Sequence, residues 1–113
     1  MLKISNVTID CDEIVDCDAF HSVFAQKLGF PDYYGRNIDA WIDCMTSVDA
    51  PGDGLTTVHC EKGSIFTIDL LNIKDLKRRQ PDIHEAILAC SAFVNWRRIE
   101  AGEKAVLALS YYA

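Results

Sequence analysis

Three β-rich segments, Leu2–Ile9, Ser64–Leu71 and Ala105–Tyr112, stand at the start, middle and end of the chain, and helical spacing fills the stretches between them. Strands interleaved with helices in this way fold as a parallel sheet with helices packed on it, because a parallel partner can be reached only through a crossover. The expected fold class is therefore α/β, a small three-stranded parallel sheet packed with helices. At 113 residues the chain can bury one core and not two, so residues 1–113 are read as a single domain.

Two details refine this frame. Thr56–Cys60 is also β-rich and is divided from Ser64–Leu71 only by Glu61-Lys62-Gly63, which predicts a hairpin whose second arm is a central strand and whose first is one extra antiparallel edge strand. In Leu2–Ile9 the alternation changes phase near Ser5-Asn6, with Leu2 and Ile4 in one register and Val7 and Ile9 in the other; a short strand followed by a turn fits this.

The helices carry their own punctuation. Asp16 or Asp18 can cap a first helix in which Phe20, Val23, Phe24 and Leu28 recur at helical spacing until Gly29 stops it. Residues 29–36 make a tight connection, and Asn37 is placed to cap a second helix. Residues 49–54, Asp-Ala-Pro-Gly-Asp-Gly, have the composition of a mobile loop. Asp75–Gln80 can form a short basic helical turn, and Pro81 suits the first position of a last helix that buries Ile83, Ile87, Cys90 and Val94 and ends before Gly102.

The second helix has two faces. Ile38, Trp41, Ile42 and Met45 fall on one arc, the spacing of a buried stripe, while Asp39, Asp43, Thr46 and Ser47 gather on the other. Asp39 lies in the first turn, where the helix dipole favours an anion. Asp43 gains no such help, no cation neighbours the pair in sequence, and like charges at i and i+4 cost roughly 0.2–0.5 kcal/mol. An acidic pair kept against local stability is a candidate surface for a partner.

Charge is unevenly spread. Residues 1–53 hold ten acids against Lys3, Lys27 and Arg36, a net of −7, while the remainder nets +1. An acidic half repels nucleic acid, whose binding rests on phosphate neutralisation, and favours encounter with a basic protein. The five cysteines are odd in number and never spaced Cys-x-x-Cys, which reads as reduced, mostly buried thiols and not as a disulfide framework or zinc site. No run approaches the roughly 20 apolar residues of a membrane span, and the amino-terminal stretch with Asn6, Asp10, Asp12 and Glu13 does not resemble a signal peptide. A cytoplasmic protein bound to neither membrane nor nucleic acid is expected.

Enzymatic readings find little support. His21, His59 and His84 are placed on different elements, none beside a Ser or Cys in a reactive motif, and read as packing or surface residues. Asp39 and Asp43 as a glycosidase-like acid and base would need different environments on separate elements, which one solvent-facing helix does not provide. A magnesium site would want a phosphate-binding loop, and the turn at Gly35 lacks that pattern. Lys77-Arg78-Arg79 and Arg97-Arg98 are short runs that read as solvated helix faces. No catalytic residue, cofactor or metal is assigned. Of the paired tyrosines Tyr33 and Tyr34, one can anchor the connection on the core and leave the other exposed.

A helix offering carboxylates beside an aromatic ring can plug a ribonuclease, whose active site gathers cations around phosphate; carboxylates replace the phosphate in charge-assisted hydrogen bonds. The stretch from Pro31-Asp32-Tyr33-Tyr34-Gly35-Arg36-Asn37-Ile38-Asp39-Ala40 through Asp43-Cys44-Met45-Thr46 resembles the barstar family of intracellular ribonuclease inhibitors. The resemblance is dense over residues 18–47 and looser over Val106–Ser110, and residues 49–63 are longer than in the family. It implies a barstar-like fold, a monomer, and a basic ribonuclease or toxin-like protein as partner. Position by position, it implies that Asp43 is the phosphate mimic, that Asp39 pairs with a second basic group, that Tyr33 stacks on a catalytic histidine, and that Asn37 and Thr46 add hydrogen bonds.

There are departures from the family pattern. Ile42 and Val48 stand where the family has tryptophans, Ser47 replaces a glycine, Arg36 replaces an acid, and the supporting glutamate of the last helix falls on Arg97. The central carboxylates survive and the rim changes. The expected partner-binding set is thus Tyr33, Asn37, Asp39, Ile42, Asp43, Thr46 and Ser47. An inhibitor or immunity protein acting on a ribonuclease of the same cell is the first expectation; the alternative is a barstar-fold interaction module for a non-nuclease basic partner. The first expectation has Asp43→Ala hurting binding far more than Asp49→Ala.

Overall fold

The computed structural model describes residues 2–3 and 5–112. The chain runs β1 (Leu2–Lys3), β2 (Asn6–Asp10), α1 (Cys17–Leu28), α2 (Ile38–Thr46), β3 (Val58–His59), β4 (Phe66–Leu71), α3 (Ile73–Arg79), α4 (Pro81–Glu100) and β5 (Leu107–Ser110), with single 3-10 turns at Cys11–Glu13 and Pro51–Asp53. Strands β2, β4 and β5 form a three-stranded parallel sheet with β4 at its centre. Val7 and Ile9 of β2, Phe66, Ile68 and Leu70 of β4 and Leu107 of β5 are buried, while the residues between them are half-buried or exposed. This is the period-two pattern of strands covered chiefly on one face. The α/β class with a small parallel sheet holds.

The hairpin does not form. Strand β3 pairs in parallel with β1, Val58 opposite Leu2 and His59 opposite Lys3, as a separate two-stranded sheet. The reason is that β2 and β5 occupy both edges of β4, leaving no backbone ladder for an antiparallel arm. The phase change near Ser5-Asn6 marks where the chain leaves the small sheet for the large one. Ile4 and the side chain of Leu2, on which the first register rests, lie outside the described residues.

Residues 49–54 are no free loop either. Asp49 is buried, the Cys60 N–H donates to the Val48 carbonyl at 3.1 Å, and the Thr57 N–H donates to the Leu28 carbonyl at 3.0 Å. The start of the segment is therefore anchored by buried Asp49, and the chain on either side of it is bonded back to the body of the protein.

Caps act where the sequence places them. The Asp16 carboxylate accepts from the Ala19 N–H at 2.8 Å, and Gly29 closes α1 in the left-handed region at φ 67°. A Cβ there would lie 1.7 Å from Thr57 Oγ1, so glycine is required for space as well as for backbone. Trp41 and Met45 of α2 are fully buried, Trp41 edge-on to Phe24 with ring centroids 5.5 Å apart. Burying each large side chain is worth about 1.5–3 kcal/mol, which easily outweighs the few tenths lost to two like charges.

Candidate protein-binding face

Helix α2 and the connection leading into it are fastened from several sides. Phe30 is buried and packs on Tyr34 with ring centroids 4.7 Å apart, and the Tyr34 hydroxyl lies 2.6 Å from His21 Nδ1. Burial pushes the Tyr34 phenol well up and the His21 imidazole down, with Arg36 adding to the latter. Tyr34 is thus the anchor, and Tyr33 stands 76% exposed. Arg36 adopts a left-handed backbone, φ 54°, held there by bonds from its guanidinium to the Asp18 carboxylate at 2.7 Å, the Asp18 carbonyl at 2.9 Å and Ser22 Oγ at 2.9 Å. These bonds offset the roughly 1–2 kcal/mol such a conformation costs a residue with a Cβ. They also spend its charge on α1, away from Asp39. Asn37 then caps α2, its side-chain oxygen accepting from the Ala40 N–H at 2.8 Å.

The far end of α2 is pinned by a buried ion pair. Arg98 of α4 grips Asp49 through two bonds, 3.0 and 2.8 Å, with side chains only 4% and 0% exposed. The same guanidinium donates to the carbonyls of Thr46 at 3.0 Å and Lys104 at 2.8 Å. Burial pushes the Asp49 carboxyl up, but Arg98, the Gly63 N–H and Lys62 together hold it below the usual carboxylate range.

Between these anchors the acidic face is open. Asp39 and Asp43 are both exposed. The absence of a neighbouring cation in sequence does not survive folding: Arg97 of α4 reaches Asp43, Nη1 to Oδ1 at 2.9 Å, with side chains 47% and 58% exposed. Asp43 points outward but carries a counter-ion. Asn37 is exposed, its amide oxygen committed to the cap. Thr46 is half-buried and its hydroxyl donates to the Ile42 carbonyl at 2.6 Å, leaving its oxygen lone pairs for an outside donor. Ser47 is half-buried at the carboxyl end of the helix. Ile42, at 8% exposure, belongs to the core and offers a partner almost no surface.

Two aromatic residues escaped the sequence reading. Phe93 and Trp96 of α4 are 45% and 56% exposed and pack against each other at a tilt, with centroids 5.7 Å apart. They lie off the Ile83, Ile87 and Val94 stripe, which is the signal that could have found them.

The cysteines are free thiols, and Cys11, Cys44 and Cys60 are buried. Burial, aided by Asp43, pushes the Cys44 thiol up to about 11, so it is no nucleophile. A groove of about 1050 Å³ on the open side of the sheet is lined by Thr8, Asp69, Asp75, Arg78, Tyr111 and Tyr112 among others. Its carboxylates are already engaged, Asp69 by Asn6 at 2.8 Å and Asp75 by Arg78 and Arg79. No helix among the described residues is long and apolar enough to cross a membrane.

A small parallel sheet carries a solvent-facing acidic helix beside an exposed tyrosine, the features of a candidate protein-binding face. Residues 4–109 match the model of the family described as Barstar (barnase inhibitor), and the chain belongs to that family. The family is one of inhibitors and not of catalysts, so the chain is not an enzyme. It is also similar to a Bacillus subtilis (strain 168) protein named "Putative ribonuclease inhibitor YrdF", 46% identical over 46 residues, which are 40% of this chain and 50% of that relative. The match thus spans about half the length of the curated relative.

Proposed function

We propose that the chain is an intracellular inhibitor, an immunity protein, that blocks the active site of a basic ribonuclease with helix α2. The observation that carries the reading is the pair Asp39 and Asp43, exposed on a helix fastened at both ends, with Tyr33 exposed in the connection before it. Membership of an inhibitor family and the name of the half-length relative support it. In the complex the Asp43 carboxylate takes the place of the scissile phosphate and accepts hydrogen bonds from the cleft's cations, Asp39 neutralises a second cation, and Tyr33 stacks on the ring of a catalytic base. Asn37, Thr46 and Ser47 make the polar rim. The partner is a protein and not RNA, since the acidic half repels phosphate. The inhibitor acts as a monomer in the cytoplasm beside its target.

The test is inhibition of RNA cleavage by a panel of small basic bacterial ribonucleases that includes barnase. Asp43→Ala should weaken inhibition of the target by at least about 30-fold, because buried cations of the cleft lose their partner. The matched control is Asp53→Ala, an exposed acid in the Pro51–Asp53 turn, which should change it by less than about threefold. Asp49 cannot serve as that control, since it is buried against Arg98. Equal small losses from both substitutions would refute the role of α2. Undiminished cleavage throughout the panel at inhibitor excess would point instead to a module for a non-nuclease basic partner.

A further inference from the structure

Arg97 puts a positive charge in the middle of a face that the inhibitor reading needs to be negative. Its bond to Asp43 uses one N–H of the guanidinium; among the described residues no second acceptor is bonded to Arg97, and half of its side chain is open to solvent. The remaining donors form the planar fork that grips a carboxylate with two parallel bonds. One turn earlier on the same side of α4 stands Phe93, and the Phe93–Trp96 pair extends the exposed surface of that helix. Phenylalanine, tryptophan and arginine are the residues that interface cores concentrate. The exposed side of α4 therefore has the composition of a contact surface and is joined to the acidic face by the Arg97–Asp43 bond.

A wholly cationic cleft is a poor match for such a surface. Arg97 lowers the charge presented by Asp39 and Asp43 from two negatives to one, and docking would trap its free donors against like charge. A cleft whose rim carries an aspartate or glutamate has the opposite effect: it accepts the idle N–H groups while Asp43 turns to the catalytic cations. Resting on the inhibitor reading above, we infer that Arg97 selects the target, that the cognate ribonuclease bears a carboxylate at the rim of its cationic cleft facing α4, and that Phe93 and Trp96 dock beside that rim.

The sign of one substitution separates this from the simpler picture. The probe is the ribonuclease of the panel that the wild-type chain inhibits most strongly, with Kd measured by titration calorimetry and folding of each variant checked by its thermal transition. Arg97→Ala and Arg97→Glu both make the face more negative, so against a purely cationic cleft both must tighten binding. With a carboxylate rim, Arg97→Ala weakens it by about tenfold or more and Arg97→Glu further. Replacing rim acids of the ribonuclease by alanine one at a time should then find one position at which the penalty of Arg97→Ala vanishes. Trp96→Ala should weaken binding about tenfold, and an unchanged Kd would remove the aromatic part of the surface. Tighter binding by Arg97→Ala, alongside weaker binding by Asp43→Ala, overturns the selective role of Arg97 and leaves the inhibitor reading intact. Unchanged binding by Asp43→Ala, or no ribonuclease inhibited, overturns the inhibitor reading itself and this inference with it.

Discussion

Removing Asp49 should damage the fold more than any other single change of a carboxylate to alanine. In the native protein Arg98 is almost completely buried and has four acceptor contacts, two of them on Asp49. Asp49→Ala deletes those two and, among the described residues, the only negative charge bonded to the guanidinium; the carbonyls of Thr46 and Lys104 remain but cannot neutralise it. Stranding a buried charge in this way costs about 3–5 kcal/mol, and for a domain of this size roughly 3–6 °C per kcal/mol predicts a melting temperature lower by roughly 10–30 °C. Urea titration followed by tryptophan fluorescence at pH 7 measures the loss directly, with Asp53→Ala as the neutral comparison. Acid adds a second reading. Asp49 is held below the usual carboxylate range when folded and titrates near its ordinary value, about 3.9, when unfolded. Its stabilisation is therefore complete above the unfolded value and is lost as pH falls through the folded one. The gap between wild type and Asp49→Ala should hold at neutral pH and narrow below about pH 4. The double variant Asp49→Leu with Arg98→Met, which removes both charges, should be more stable than Asp49→Ala alone. A loss under about 1 kcal/mol at pH 7, or a gap that widens in acid, would refute this account of the pair.

Two smaller tests bear on the scaffold that holds α2. Gly29→Ala should destabilise clearly more than Gly54→Ala: both glycines have positive φ, 67° and 70°, but only at Gly29 does a Cβ collide, with Thr57 Oγ1, so the difference in denaturant midpoint isolates the collision from the backbone cost of roughly 1–2 kcal/mol. Asn37→Ala should cost about 1 kcal/mol through loss of the Ala40 N–H cap, read as a lower urea midpoint with unchanged slope; an unchanged midpoint would mean the cap contributes nothing to α2.

What the sequence makes legible here is what short-range physics controls. Asp16 and Gly29 bracket α1, Asn37 opens α2 and Pro81 starts α4, because caps and turn residues act within a few positions of themselves. The parallel sheet follows from the alternation of strand and helix. The misses are long-range or very short. Strand β3 is two residues long, too little for any period, and its partner β1 lies more than fifty residues away. The Arg98–Asp49 and Arg97–Asp43 pairs span 49 and 54 positions, so a mobile loop and an unpaired acid were the natural readings of segments whose partners come from α4. Ile42 shows a different limit: the helical period rightly puts it on the buried stripe with Trp41 and Met45, and only the family resemblance, where a tryptophan stands at this position, placed it in the binding set.

Because α2 is tethered by the Asn37 cap at its start, by the Arg36 clamp onto α1 just before it and by Arg98 on the Thr46 carbonyl at its end, an arriving molecule meets a backbone already in its final shape. Little configurational entropy is left to surrender on association, and that economy favours capture at the rate of first productive encounter. On the inhibitor reading, adjustment is left to the longer exposed side chains of α4, Arg97 and Trp96, which stand on a foundation that does not move with them.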